Sequence, residues 1–275
     1  AIGELGEEAG GAAPGGVTAR GDASPDVRRR AGQTLERIGT ATAETLPALS
    51  KLLVDADAGT RFAAARAIVS LGGEASAAMP VIAATLESKD VRLAQEAAKT
   101  IGVLGPTGSA ATAALVKMLN EGPRGVRIEA AWALGRVGGA AAEAVPALVR
   151  MLSGTDPLER AGAAHVLSTY GEEARPAVPS LAHLLRDADW HVRFIAARTL
   201  GELGAAAGEA VPFLEDTLAD AHPDVRVHAA GALSALGRLG PEAVPRLVEA
   251  LADEGCHVRN RAAALLGGLA DASRP

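Results

Sequence analysis

Aromatic side chains are almost missing from this 275-residue sequence, which holds two Trp, one Tyr and three Phe. A chain so poor in the residues that fill β-sheet cores, yet 48% hydrophobic and rich in Ala and Leu, points to closely packed helices. One cysteine, Cys256, excludes an intrachain disulfide framework and fits a reducing compartment, so a cytoplasmic location is expected. No uninterrupted apolar run approaches the roughly 18 residues of a membrane span. Positive charge is also in deficit. The net charge is −6, and the lysines are only Lys51, Lys89, Lys99 and Lys117. Nothing in that balance draws the chain to a phosphate backbone or an anionic membrane.

What is present is periodic. Prolines fall at Pro14, Pro47, Pro80, Pro146, Pro179, Pro212 and Pro245, spaced by 33, or by 66 across Ala113. Arg28, Arg61, Arg127, Arg160, Arg193, Arg226 and Arg259 keep the same register, as do Gly39, Gly72, Gly105, Gly138, Gly171, Gly204 and Gly237. Three residue types in one period, without slippage, define a repeat protein.

Each unit reads as two helices. The first starts near its proline, which a first turn tolerates because it has no N–H to leave unpaired. The second opens on an N-cap column of Ser24, Asp57, Asp90, Asp156 and Asp189, with Glu159 three residues after Asp156 as in a capping box. Along the second helix of one unit, Val192, Ala196, Ala197, Leu200 and Leu203 share a face at spacings of three and four. The paired alanines recur from unit to unit and allow close helix approach, and the glycine column supplies the left-handed residue of a helix C-terminus. A helix pair this short cannot bury its own apolar face, so stacking must do it. The expected fold is all-α, a right-handed α-solenoid of about eight 33-residue helix-pair repeats.

The ends depart from this pattern. Residues 1–23 are expected to be the tail of a preceding repeat, at residues 1–6, followed by a degenerate, loop-like first helix carrying Gly15, Gly16 and Gly21, with Arg20 in a leucine column. Residues 24–275 then form a single elongated domain, expected as a module of a larger protein or assembly. Leu265 beside Leu266 marks a terminal face for a partner, a further segment or self-association to cover.

The unit resembles a HEAT repeat, more specifically the HEAT-like repeats of the phycobilisome lyase type. The resemblance is carried by Val178-Pro179 and Val211-Pro212, the Asp189–Arg193 turn, the Ala pair and the closing Leu200-Gly-Glu-Leu-Gly204, over about residues 24–270. It implies a ladder of ion pairs between the arginines and an acid column reading Asp55, Ser88, Glu121, Gly154, Asp187, Asp220 and Asp253. The unit that lacks the arginine, at Ala94, also lacks the acid, at Ser88, as pairing within the ladder would require; the unit with Gly154 keeps Arg160 and breaks the rule. For function the resemblance implies a scaffold or adaptor, or alternatively a bilin lyase-type subunit acting with a partner subunit.

Variable positions on the second helices are where such an array recognises a partner. One column places Arg66, Lys99, Trp132, His165 and Arg198 in a row over five consecutive units, with Glu96, Glu129 and Arg136 in neighbouring columns. This basic-aromatic strip, expected on the concave face and mixed rather than purely cationic because Glu96 and Glu129 lie beside it, suits a protein or peptide segment of acidic character. Long side chains covering alanine methyls without binding anything are the bland alternative. No catalytic, cofactor or metal site is expected. The six histidines form no H-x-x-x-H or H-E-x-x-H set, His191 and His257 read as turn residues, and Cys256 has no oriented base. Nucleic acid is disfavoured as a partner by the acidic balance and the scarcity of aromatics.

Overall fold

A computed structural model of the chain describes residues 13–38 and 45–272. Among these residues every regular element is helical. The second helices of the units are α2 (Pro25–Ile38), α4 (Ala58–Ser70), α6 (Val91–Leu104), α8 (Arg124–Val137), α10 (Pro157–Leu167), α12 (Trp190–Leu203), α14 (Pro223–Ala235) and α16 (Cys256–Ala272). Each begins 33 residues after the last, as the columns predict. The first helices are α1 (Ala13–Ala19), α3 (Thr45–Leu52), α5 (Ala75–Thr85), α7 (Thr112–Glu121), α9 (Ala141–Leu152), α11 (Val178–Leu184), α13 (Val211–Thr217) and α15 (Val244–Ala250). The chain divides into two compact units, with the boundary between Val137 and Gly138.

The caps act as their residue types require. Asp57 accepts from the Thr60 N–H, Asp90 from those of Arg92 and Leu93, Asp156 from Leu158 and Asp189 from His191. In α12 the stripe Val192, Ala196, Ala197 and Leu200 is fully buried. Ile195, which shares the column of Glu96 and Glu129, is buried beside it. The Thr199 hydroxyl, 0% exposed, donates to the Ala164 carbonyl of α10 at 3.0 Å, adding a polar tie between second helices. Close approach depends on small residues: a Cβ on Gly201 would lie 3.0 Å from the Ala232 Cα of α14, and one on Gly102 would lie 3.2 Å from the Ala133 Cα of α8.

Three local expectations are corrected. Ala13–Ala19 is helical rather than loop-like, because α1 packs on α2: a Cβ on Gly16 would stand 2.9 Å from Leu35, so the glycine gives the contact its closeness. The prolines do not always open the first helix. Pro80 and Pro146 lie inside α5 and α9, whose alanine-rich first turns start upstream, whereas Pro179, Pro212 and Pro245 do sit in first turns. At Gly204, φ is 54° but ψ is −132°, a region open to glycine rather than the left-handed helix, and the chain passes straight into the 3-10 segment Gly204–Ala210. The expected tail at residues 1–6, and Gly39, lie outside the described residues.

The ladder pairs forward, one unit to the next. Arg28 grips Asp55 through two hydrogen bonds of 2.7 and 2.8 Å, Arg160 grips Asp187 at 2.7 and 2.8 Å, and Arg193 grips Asp220 at 2.7 and 3.0 Å. Each partner lies 27 residues on. The third nitrogen of the same guanidinium holds its own turn: Arg193 donates to the carbonyls of Asp187 and Ala188, as Arg28 does to those of Asp22 and Ala23. Each acid also caps its turn, Asp187 accepting from the Asp189 N–H and Asp220 from the His222 N–H. The shared absence at Ala94 and Ser88 is therefore not a lost pair. Ser88 stands where the acid for Arg61 would be, and its hydroxyl keeps only the turn role, accepting from the Asp90 N–H. Likewise Arg160 needs Asp187, not Gly154, from which it takes only the carbonyl. Arg226 holds the carbonyls of Asp220 and Ala221, while its Nε has no partner among the described residues.

These bonds set the acid response. The Arg28 hydrogen bond holds Asp55 below the usual carboxylate range. For Asp187 and Asp220, burial pushes upward, but the hydrogen bonds from Arg160 and Arg193 and from the turn N–H groups outweigh it. Carboxylates depressed in the folded state contribute stability that is complete above their unfolded value, about 3.9, and lost as pH falls through the lower folded values. Urea midpoints should therefore hold steady from pH 7 to about 5 and fall steeply below about 4. Asp187→Asn should cost about 2 kcal/mol at pH 7 and flatten the acid limb; an unchanged limb would remove the ladder from the account. In the stack, Ala197→Leu should cost about 1–3 kcal/mol in the same melts. The same change at exposed Ala235 should stay within about 0.5 kcal/mol.

Candidate functional site

The residues of the expected strip fall on both units. On the first, Arg66 of α4 meets Glu36 of α2, with Nε and an outer nitrogen 3.1 and 2.9 Å from one carboxylate oxygen, and its guanidinium lies over Phe62 at 5.9 Å. Lys99 of α6 lies between two acids, 3.5 Å from Glu96 and 3.8 Å from Glu129 of α8. A shallow recess of about 330 Å³ brings Lys99 and Glu129 together with Trp132 and Arg136 of α8, over a floor at Gly102 and Ala133. Trp132 is 40% exposed there.

On the second unit, Arg198 of α12 donates to His165 Nδ1 of α10 at 2.7 Å, and its Nε lies 3.0 Å from Glu202. That last contact is an ion pair without hydrogen-bond alignment. Burial, and then the charge of Arg198, push the His165 pKa down, so the ring is neutral at pH 7 and accepts the bond. Arg66, Lys99 and Arg198 are thus each matched by an acid of the chain itself. The strip is a mixed, internally paired surface, not a bare cationic one.

A second cluster gathers along the N-terminal halves of α12, α14 and α16. Trp190 stacks on His222, ring centroids 3.9 Å apart and planes 4° from parallel, and remains 43% exposed. Phe194 meets His228 edge to face at 4.4 Å. Trp190, Phe194 and His228 border a pocket of about 740 Å³ floored by Val227 and Val258, with Asp224, His257 and Arg261 at its polar side. His257 Nε2 is 2.8 Å from the Asp224 carboxylate, and His228 Nδ1 donates to the Asp224 carbonyl at 2.8 Å. Burial pushes the His228 pKa down, against that carbonyl bond, and the charges of Arg261 and Arg198 add to the effect. The ring is therefore neutral, with Nε2 as its remaining acceptor. Arg261 lies across Gly231: a Cβ on that glycine would come within 2.5 Å of the guanidinium.

The sequence columns assign His257 to a turn and do not join it or Trp190 to Phe194, His228 and Arg261. Cross-unit offsets are the signal that joins such residues. Side chains on neighbouring second helices meet at 33 residues, as His165 meets Arg198 and Asp224 meets His257, or at 30, as Glu36 meets Arg66 and Lys99 meets Glu129. Among the described residues no group of three or more His, Cys, Asp or Glu side chains could hold a metal ion, and no helix is long and apolar enough to cross a membrane.

The model of HEAT repeats matches this chain in overlapping copies at residues 17–99, 78–168, 112–187, 146–234 and 178–267. Among curated proteins, nothing matches. Among solved structures, an engineered protein determined by the Northeast Structural Genomics Consortium is similar at 24% identity and a TM-score of 0.64, covering 98% of this chain and 82% of its own. Kap121p is similar at 15% identity and a TM-score of 0.55, over 95% of this chain and 38% of Kap121p. Both likenesses are of fold. With a 33-residue helix pair repeated throughout the described residues and the family's model matched over most of the sequence, the chain belongs to the HEAT repeat family as an all-α solenoid.

Proposed function

We propose that this chain is a scaffold or adaptor without catalysis of its own, binding a protein or peptide segment on the exposed face of its second helices. The observation that carries this reading is the contrast between two sets of positions on one helix. The paired alanines facing the stack are buried in unit after unit, as at Ala64, Ala130, Ala163 and Ala229, while the outward column changes freely from Arg66 to Lys99, Trp132 and His165. A constant interior with a varied exterior is how a repeat array supports recognition. Trp132 is the strongest single anchor on the first unit, a large amphipathic ring half in solvent above a recess, of the kind that dominates binding energy.

The internal pairing of the cations argues for a segment of mixed charge rather than a uniformly acidic one. A partner must replace the Lys99–Glu129 and Arg66–Glu36 contacts with bonds at least as good. The same pairing, with a net charge of −6, gives a nucleic-acid backbone little to hold.

A displayed peptide library selected on the full chain tests this. Selected sequences should share a motif, and Trp132→Ala should weaken their binding by about tenfold or more with an unchanged far-UV spectrum. A library that enriches nothing, or ligands indifferent to every exposed substitution on the second helices, would overturn the proposal. Bilin absorbance appearing when the protein is mixed with chromophore and a partner subunit would instead favour a lyase-type role.

A further inference from the structure

The pocket bordered by Trp190 and Phe194 holds a cation that no acid among the described residues pairs with. Arg66, Lys99 and Arg198 all have acids of their own, but Arg261 makes no hydrogen bond or ion pair among the described residues, and its guanidinium rests on the bare backbone of Gly231. The acid across the pocket, Asp224, is engaged by His257 at 2.8 Å and lies 3.8 Å from His222. The two sides therefore do not neutralise each other. Beside the free guanidinium is an apolar recess of about 740 Å³, within the usual range of about 300–1,000 Å³ for ligand pockets. Its aromatic wall is held in place before any ligand arrives, Trp190 by the stack on His222 and Phe194 by the edge contact with His228. Rings so fixed cost little to order on binding.

We propose that this pocket is a specificity site for a peptide segment in which an aromatic side chain stands next to a carboxylate. The aromatic side chain packs among Trp190, Phe194 and the floor at Val227, and Arg261 takes the carboxylate. Offset or edge-to-face ring contacts favour the first part, and a forked guanidinium–carboxylate bond the second. His228 contributes an acceptor, Nε2, for a backbone N–H of the segment. The inference rests on the scaffold reading above and adds what the second unit would select.

Isothermal titration calorimetry of the full chain with acetyl-Gly-Phe-Glu-Gly-amide tests it. Saturable binding is expected, with the Phe-Gln peptide about tenfold weaker and the Ala-Glu peptide weaker still. Arg261→Gln should abolish the preference for Glu over Gln. Gly231→Ala, which keeps the charge but puts a methyl where the guanidinium lies, should also reduce it; helix content by circular dichroism confirms that both variants fold. No saturable binding of the Phe-Glu peptide, equal binding of the Glu and Gln peptides, or a preference that survives both variants would overturn the proposal. Failure here is distinguishable from failure of the scaffold reading. Library ligands that depend on Trp132 but ignore Arg261 and Gly231 would leave the scaffold standing and remove the pocket from its recognition surface.

Discussion

At three places in this protein a single guanidinium, used twice, ties one repeat to the next. Arg28, Arg160 and Arg193 each close their own turn through backbone carbonyls and reach forward to the acid that caps the next turn. Arginine suits this because its donors lie fixed in one plane, so ordering the group for one bond orders it for the others. The acid is equally constrained: Asp187 and Asp220 each satisfy a turn N–H and two arginine nitrogens. A lysine or a glutamate in either place would lose the geometry while keeping the charge.

With the turns fixed in this way, the helices can be packed by small side chains. Ala196 and Ala197 leave room for the neighbouring helix, and Gly201 lets its backbone come closer still. This close packing explains why so few aromatics suffice. The two tryptophans, Trp132 and Trp190, stand at the surface, while Phe62 and Tyr170 are buried. Large rings exposed on a tightly stacked face are costly to keep in water and valuable on contact with a partner.

Much of the fold is legible in the sequence because its constraints are local and repeated. Asp57, Asp90, Asp156 and Asp189 announce helix starts through chemistry confined to three or four residues, and the alanine pairs mark the buried face by spacing alone. What escapes is whatever depends on the neighbouring unit. The joint absence at Ala94 and Ser88 looks like a lost pair until the forward reach of 27 residues is known. The strip's mixed charge is legible from Glu96 and Glu129, but the pairing of Arg66 is not, because Glu36 sits 30 residues away in another column. The helix at Ala13–Ala19 is hidden by its glycines, since intrinsic propensity argues against it and only the contact with Leu35 argues for it. The pocket at Trp190 is assembled from three successive units around a missing side chain, at Gly231, which a column of residue types records merely as a gap.

Ser88 has a consequence of its own. Where the Asp55 turn receives Arg28 from the preceding repeat, this one is tied only to itself, through the bond from the Asp90 amide to the serine hydroxyl. Arg61 behind it spends its bonds on the carbonyls of Asp55 and Ala56. The serine therefore interrupts the series of guanidinium–carboxylate clasps that Arg28 and Asp55 begin, and leaves its turn to be held by its own cap and by helix packing.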